Sequence, residues 1–189
     1  MTPAARTPER IVLIGPMAAG KSTVGSRLAQ RLGLEFVDTD HEFEKKHGPI
    51  SRVFESLGEP FFREAEARLV ASSLARRDVV VSLGGGAVLD AGTAQLLTRE
   101  YVVYLQTDVE TVRPFITRDR RRPLLSENPV EAWERVYDRR RSTYERLATR
   151  TIDVASVEVR RPEAIVGLIL DGLAEPDTTD QHESKETPR

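Results

Sequence analysis

The chain alternates short continuous apolar runs with longer stretches in which apolar residues recur every three or four positions. Arg10-Ile11-Val12-Leu13-Ile14, Leu34-Glu35-Phe36-Val37, Val79-Val80-Val81-Ser82-Leu83, Tyr101-Val102-Val103-Tyr104-Leu105 and Thr151-Ile152-Asp153-Val154 are rich in β-branched or aromatic residues. They read as strands, and the unbroken runs predict burial on both faces. Between the first two, Val24, Leu28, Ala29 and Leu32 predict a helix that ends at Gly33. His41 to Glu44 begins another helix, and His47-Gly48-Pro49 breaks it. Ser51 is expected to cap a short helix carrying Val53, Phe54 and Leu57; Gly58 then opens a long one through Leu69, Val70 and Leu74 to Arg77. Further helices are expected over Asp90 to Leu97, after Asp108, over Pro129 to Thr149, and from Pro162 onward with Ile165, Val166, Leu168, Ile169 and Leu173 inward. Strand and helix alternate, so the expected class is α/β: a parallel sheet with helices on both faces.

Composition narrows the function. With 189 residues and 39% hydrophobic content there is material for one sizeable core, so residues 10–174 are expected to form a single domain. A net charge of −2 gives no overall attraction to nucleic acid or to an anionic membrane. The lack of cysteine excludes disulfides, thiolate nucleophiles and cysteine-ligated zinc. No apolar run reaches the length of a membrane span, and residues 1–9 lack the apolar core of a signal peptide, so a cytoplasmic protein is expected. Residues 1–9 and 175–189 are polar and are expected to be disordered. His41, His47 and His182 show no metal-ligand spacing.

Chemistry begins at Gly15-Pro16-Met17-Ala18-Ala19-Gly20-Lys21-Ser22, followed by Thr23, which fits G-x-x-x-x-G-K-[ST] between a strand and a helix. Such a loop turns backbone N–H groups toward phosphate oxygens at the positive end of the helix. Lys21 would reach the β- and γ-phosphates, and Ser22 would place a hydroxyl on Mg²⁺.

Four other features lie near predicted strand ends or helix starts. Asp38 and Asp40 point the same way if both extend a strand, one toward a metal and one toward a substrate hydroxyl; the other reading is a helix cap and an acidic first turn. Arg63 opposes the helix dipole, which suits either a substrate carboxylate or pairing with Glu59 or Glu66. Gly84-Gly85-Gly86 admits close approach of backbone to a ligand, or is a plain turn. Arg113, Arg118, Arg120, Arg121 and Arg122 form either a solvated face or a cationic lid. No aromatic platform is interleaved with these arginines, which argues against nucleic acid. The only asparagine, Asn128, does not form an Asn-x-x-Asp guanine reader, which argues against a switch GTPase.

Together these motifs resemble the shikimate kinase family. The likeness rests on Gly15 to Thr23, Asp38-Thr39-Asp40, Gly58-Glu59-Pro60-Phe61-Phe62-Arg63-Glu64-Ala65-Glu66, Leu83-Gly84-Gly85-Gly86-Ala87-Val88 and Arg122-Pro123-Leu124-Leu125, and it extends from about Arg10 to Leu173. The resemblance implies a five-stranded parallel sheet of order 2-3-1-4-5, a lid over about 112–125, and phosphorylation of the shikimate 3-hydroxyl by ATP and Mg²⁺ in a monomer. By position it implies that Lys21, Ser22, Thr23 and Gly15, Ala18, Ala19 and Gly20 hold the nucleotide. Ser22 and Asp38 would serve the metal, and Asp40 would bind the substrate hydroxyls and take the proton. Arg63 and Arg140 would hold the carboxylate, Gly85 would contact substrate through its backbone, and Phe54 and Phe62 would wall the pocket. Arg122 would reach the transferring phosphate. Two positions depart from the family. Ala18 stands where many members have glycine, and Phe115 where an arginine often stacks on adenine; Arg118 lies nearby in sequence, and Arg160 and Arg161 fall near the family's adenine-side loop. A gluconate-type or nucleoside-monophosphate kinase is the competing enzyme, and a nucleotide-binding regulator the competing class.

Overall fold

The computed structural model describes residues 8–117, 128–156 and 161–174. Five strands, β1 (Arg10–Ile14), β2 (Glu35–Asp38), β3 (Val79–Ser82), β4 (Tyr101–Gln106) and β5 (Arg150–Asp153), form one parallel sheet in the order β2-β3-β1-β4-β5. The helices are α1 (Lys21–Leu32), α2 (Thr39–His47), α3 (Ile50–Leu74), α4 (Ala91–Leu97), α5 (Val109–Ile116), α6 (Pro129–Leu147) and α7 (Pro162–Ala174). Among the described residues no helix is long and apolar enough to cross a membrane.

Strand alternation divides the core in two. Val12, Ile14, Val79, Val81, Val102 and Tyr104 face a layer made by α3, α4, α5 and α6, while Ile11, Leu13, Val80, Val103 and Leu105 face α1 and α7. Both faces are covered, which is why the inner strands β1, β3 and β4 carry no polar side. A smaller cluster of Phe43, Val53, Phe62 and Leu69, with Phe54 against it, locks α2 to α3.

Several boundaries moved for local reasons. Ser51 does not cap α3, because Pro49 stands at that place and the helix is already under way at Ile50. The expected break at Gly58 is a kink inside α3, where φ 81° and ψ 166° leave the helical region. Residues 112–117 of the expected lid belong to α5 and its cap, with Val112 and Ile116 buried in the core; the rest of that span, with Arg118 and Arg122, lies outside the described residues.

Because all strands run in one direction, their carboxyl ends share one edge. Leu13 and Asp38 both pair with Ser82, so the loops leaving β1, β2 and β3 begin at one level. That register assembles the site.

Candidate functional site

The loop after β1 is shaped by backbone that side chains rarely tolerate. Gly15 has φ 141°, and a Cβ there would stand 2.5 Å from the Leu105 carbonyl oxygen of β4. Lys21, almost fully buried, donates through Nζ to the carbonyls of Gly15 and Pro16, each at 2.9 Å. Gly20 precedes α1 with no side-chain cap, so the positive end of the helix opens onto the loop together with the exposed Ser22 and Thr23. Ala18 occupies φ 66°, the left-handed region, so the departure from glycine costs backbone strain. Ala18→Gly is therefore expected to leave the loop in place and raise stability by about 0.5 kcal/mol, the relief being partly offset by the freer unfolded chain. Denaturant unfolding of the two proteins checks this; a clear loss of stability would show that Ala18 is not strained.

Asp38 and Asp40 are not a pair along one strand. Asp38 ends β2 and caps α2, its Oδ1 accepting from the His41 N–H at 3.1 Å, and Asp40 lies in the first helical turn. The cap and acidic-turn reading is thus the observed geometry, yet Asp40 still reaches the site. A Cβ on Gly84 would stand 2.5 Å from Asp40 Oδ1 and 2.6 Å from Glu66 Oε1, so both carboxylates close on that glycine. Only a residue without a side chain fits there. Thr39 fixes the same turn by accepting from the Gly84 N–H at 3.0 Å.

Arg63 meets both of its neighbouring acids. Its Nη1 donates to Glu66 at 2.7 Å, and its Nε and Nη2 donate to Glu59 at 3.2 and 3.1 Å. The guanidinium lies over the Phe62 ring at 5.0 Å and crowds Gly86, where a Cβ would fall 2.5 Å from Nη1. Phe62 is buried between Phe43 and Phe54, each ring centre 4.8 Å away, so it supports the arginine from below. Of the three consecutive arginines in α6, Arg140 turns inward, within 3.5 Å of the place a Gly85 Cβ would take. Arg141 pairs with Glu145 on the outside, and Arg139 is exposed.

Sequence reasoning offered Glu66 only as a pairing partner of Arg63 and did not place it against the Gly84 turn. It is 5% exposed, and burial raises its carboxyl above the ordinary value despite Arg63; Asp40 pushes the same way and Arg140 opposes. The folded chain therefore holds this proton more firmly than the unfolded chain, whose carboxyl titrates near 4.5. The stability this contributes is present below 4.5 and is lost as pH rises through the raised folded value. Glu66→Gln is expected to flatten that fall. Thermal midpoints taken from pH 4 upward decide it, and parallel curves for the two proteins would clear Glu66 of the effect.

Tyr144 and Trp133, within the helix expected over Pro129 to Thr149, also touch the site. The Tyr144 hydroxyl donates to the Gly85 carbonyl at 2.5 Å, and Trp133 Nε1 donates to the Met17 carbonyl at 3.0 Å.

A glycine-rich phosphate loop between β1 and α1, on a parallel sheet of order 2-3-1-4-5, defines the class: a P-loop kinase fold, with a small-molecule site on the adjoining strand ends. Residues 17–173 match the model of the family described as shikimate kinase. The chain is 41% identical over 168 residues to a shikimate kinase of Streptomyces avermitilis, covering 88% of this chain and 96% of that one. It is 42% identical over 164 residues to one of Streptomyces coelicolor, covering 86% and 94%. Among solved structures, shikimate kinase from Acinetobacter baumannii in complex with shikimate superposes with a TM-score of 0.80 at 39% identity, covering 88% of this chain and 95% of that chain. The chain belongs to the shikimate kinase family.

Proposed function

We propose that this protein transfers the γ-phosphoryl group of ATP to the 3-hydroxyl of shikimate, through one domain spanning residues 10–174 and acting as a monomer. The observation that carries the reading is the convergence of Asp40, Arg63 and Arg140 on the Gly84-Gly85-Gly86 turn, directly beside the phosphate loop. A small carboxylated polyol needs arginine forks at one end and a carboxylate acceptor at the other, and this site offers both.

The loop from Gly15 through Ala18 and Ala19 to Gly20 cradles the phosphates, and Lys21 exchanges its carbonyl partners for phosphate oxygens. Ser22 and Asp38 fit a magnesium site that depends mainly on the phosphates, since the described residues contain no cluster of three metal-ligating side chains. Mg²⁺ would neutralise charge on the β- and γ-phosphates. Arg63 and Arg140 take the shikimate carboxylate, and Gly85 lets the ring approach the backbone. Asp40 accepts the proton of the 3-hydroxyl as its oxygen bonds to the γ-phosphorus. The bond to the bridging oxygen breaks, and ADP leaves with that electron pair. Arg122 stabilises the transferring phosphoryl group. Positioning and charge neutralisation supply nearly all the catalysis such a transfer requires.

The test is ADP release by the purified protein from ATP and Mg²⁺, with shikimate, gluconate and nucleoside monophosphates offered separately. Release with shikimate alone, and a phosphorus NMR signal coupled to the proton on carbon 3, is the expected result. Release with another acceptor only would keep the loop chemistry and discard the substrate.

A further inference from the structure

On α6, Trp133, Tyr137, Arg140 and Tyr144 follow steps of four, three and four residues, so they form one stripe along the helix. That stripe lies against two loops that carry different substrates. Trp133 Nε1 holds the Met17 carbonyl of the phosphate loop, and the Tyr144 hydroxyl holds the Gly85 carbonyl of the acceptor turn. The two loops also meet each other: a Cβ on Gly85 would lie 3.5 Å from the Gly15 carbonyl oxygen and 3.6 Å from the Met17 nitrogen.

A peptide unit is planar and trans, so the direction of its carbonyl fixes the opposite direction for the next residue's N–H. Holding the Met17 carbonyl against α6 turns the Ala18 N–H away from the helix. Holding the Gly85 carbonyl does the same to the Gly86 N–H. Each tie thus aims one backbone donor, the first in the phosphate loop and the second in the acceptor turn.

The ties are themselves rigid. Trp133 is 3% exposed and lies 4.9 Å from the Tyr137 ring; the Tyr137 and Tyr104 hydroxyls bond at 2.6 Å; Tyr104 stacks on the fully buried Tyr144 at 5.3 Å. Burial pushes the Tyr144 phenol up to about 12, so it stays protonated and donating at neutral pH, while Arg140 beside it pulls the other way.

We propose that Trp133 and Tyr144 are positioning residues, through which α6 sets the phosphate loop and the acceptor turn at their working separation. The proposal rests on the functional reading above for its acceptor half and on the phosphate loop alone for its nucleotide half.

The experiment uses the full chain with Trp133→Phe and Tyr144→Phe, singly and together. Calorimetry gives Kd for ADP and for shikimate, steady-state kinetics gives KM and kcat for each substrate, and thermal midpoints are measured in parallel. Losing one hydrogen bond of this kind corresponds to about a fivefold to tenfold change. Trp133→Phe is expected to weaken ADP by that factor and leave shikimate within twofold. Tyr144→Phe is expected to do the reverse, raising KM for shikimate alone. The double variant is expected to lose more kcat than the two single losses multiplied, because in-line geometry needs both loops. Equal weakening of both ligands by each variant, in step with a lowered midpoint, would reduce both residues to plain packing and overturn the proposal. Unchanged affinities in both variants would overturn it as well. Should Trp133→Phe fold poorly, β-(3-benzothienyl)alanine at position 133 keeps the ring shape and removes only the donor, with the same expected result. Loss of shikimate-dependent turnover already in the unaltered protein would instead refute the functional reading, and ADP binding by the Trp133 variants would still test the nucleotide half.

Discussion

Asp40→Asn is expected to bind ATP with unchanged affinity and to transfer its phosphate to shikimate about 100- to 10,000-fold more slowly, the range lost when a positioned base is removed. Asp40 stands in the first turn of α2, exposed to solvent, with its Oδ1 directed at Gly84. Asparagine keeps that shape and can still accept a hydrogen bond from the substrate hydroxyl. It cannot take up the proton. The loss should therefore fall on kcat, with KM for shikimate changing little. Removing the charge also relieves the repulsion that helps to raise the Glu66 carboxyl, so the folded protein should lose no stability. Single-turnover rates with labelled ATP separate the chemical step from product release. A variant that transfers phosphate at the original rate would take the base role away from Asp40.

Arg63→Ala is expected to raise KM for shikimate by about 10- to 100-fold, the loss of a charge-assisted fork on a carboxylate, while KM for ATP stays as it was. A second effect is expected in the same variant. Glu66 is 6% accessible at its side chain and loses its closest cation, so stability at neutral pH should fall by about 2 kcal/mol. This is below the cost of breaking a fully enclosed pair, because Arg63 itself is 28% accessible and water can enter. Without Arg63 the Glu66 carboxyl rises further, so lowering the pH should return part of the lost stability as Glu66 is protonated. Combining Arg63→Ala with Glu66→Gln separates the two roles. The double variant should recover stability and stay weak for shikimate. Recovery of shikimate affinity in the double variant would mean that Arg63 serves Glu66 and not the substrate.

Much of this site was legible because its chemistry is tied to local sequence. The phosphate loop must follow a strand and open a helix, and both neighbours carry their own patterns: the apolar run Arg10–Ile14, and the helical spacing up to Gly33, which closes α1 in the left-handed conformation. Asp108 was readable as a cap for the same reason, and it accepts from the Thr111 N–H; Asp90, expected to begin α4, caps it instead by accepting from the Thr93 N–H. Arg63 announced itself by opposing its helix dipole, and both of the acids offered as partners do pair with it. Asp40 is the instructive case. The spacing argument placed it on a strand, the chain turned into a helix one residue earlier, and the carboxylate arrived at the acceptor turn by another route.

Periodicity and short motifs, which act within about a turn of helix or a few residues of strand, were enough to specify the parallel sheet, the place of the phosphate-loop motif between β1 and α1, and the charged groups beside it. By themselves they left Arg139, Arg140 and Arg141 open; the family resemblance chose Arg140, and the packing of Trp133, Tyr137 and Tyr144 does turn that residue inward. Periodicity and motifs could not show that Trp133 and Tyr144 hold two carbonyls at sequence separations of 116 and 59 residues. A hydrogen bond between a side chain and a distant carbonyl leaves no period in the chain; it exists only once the sheet has brought the ends of β1 and β3 together and α6 has packed across them.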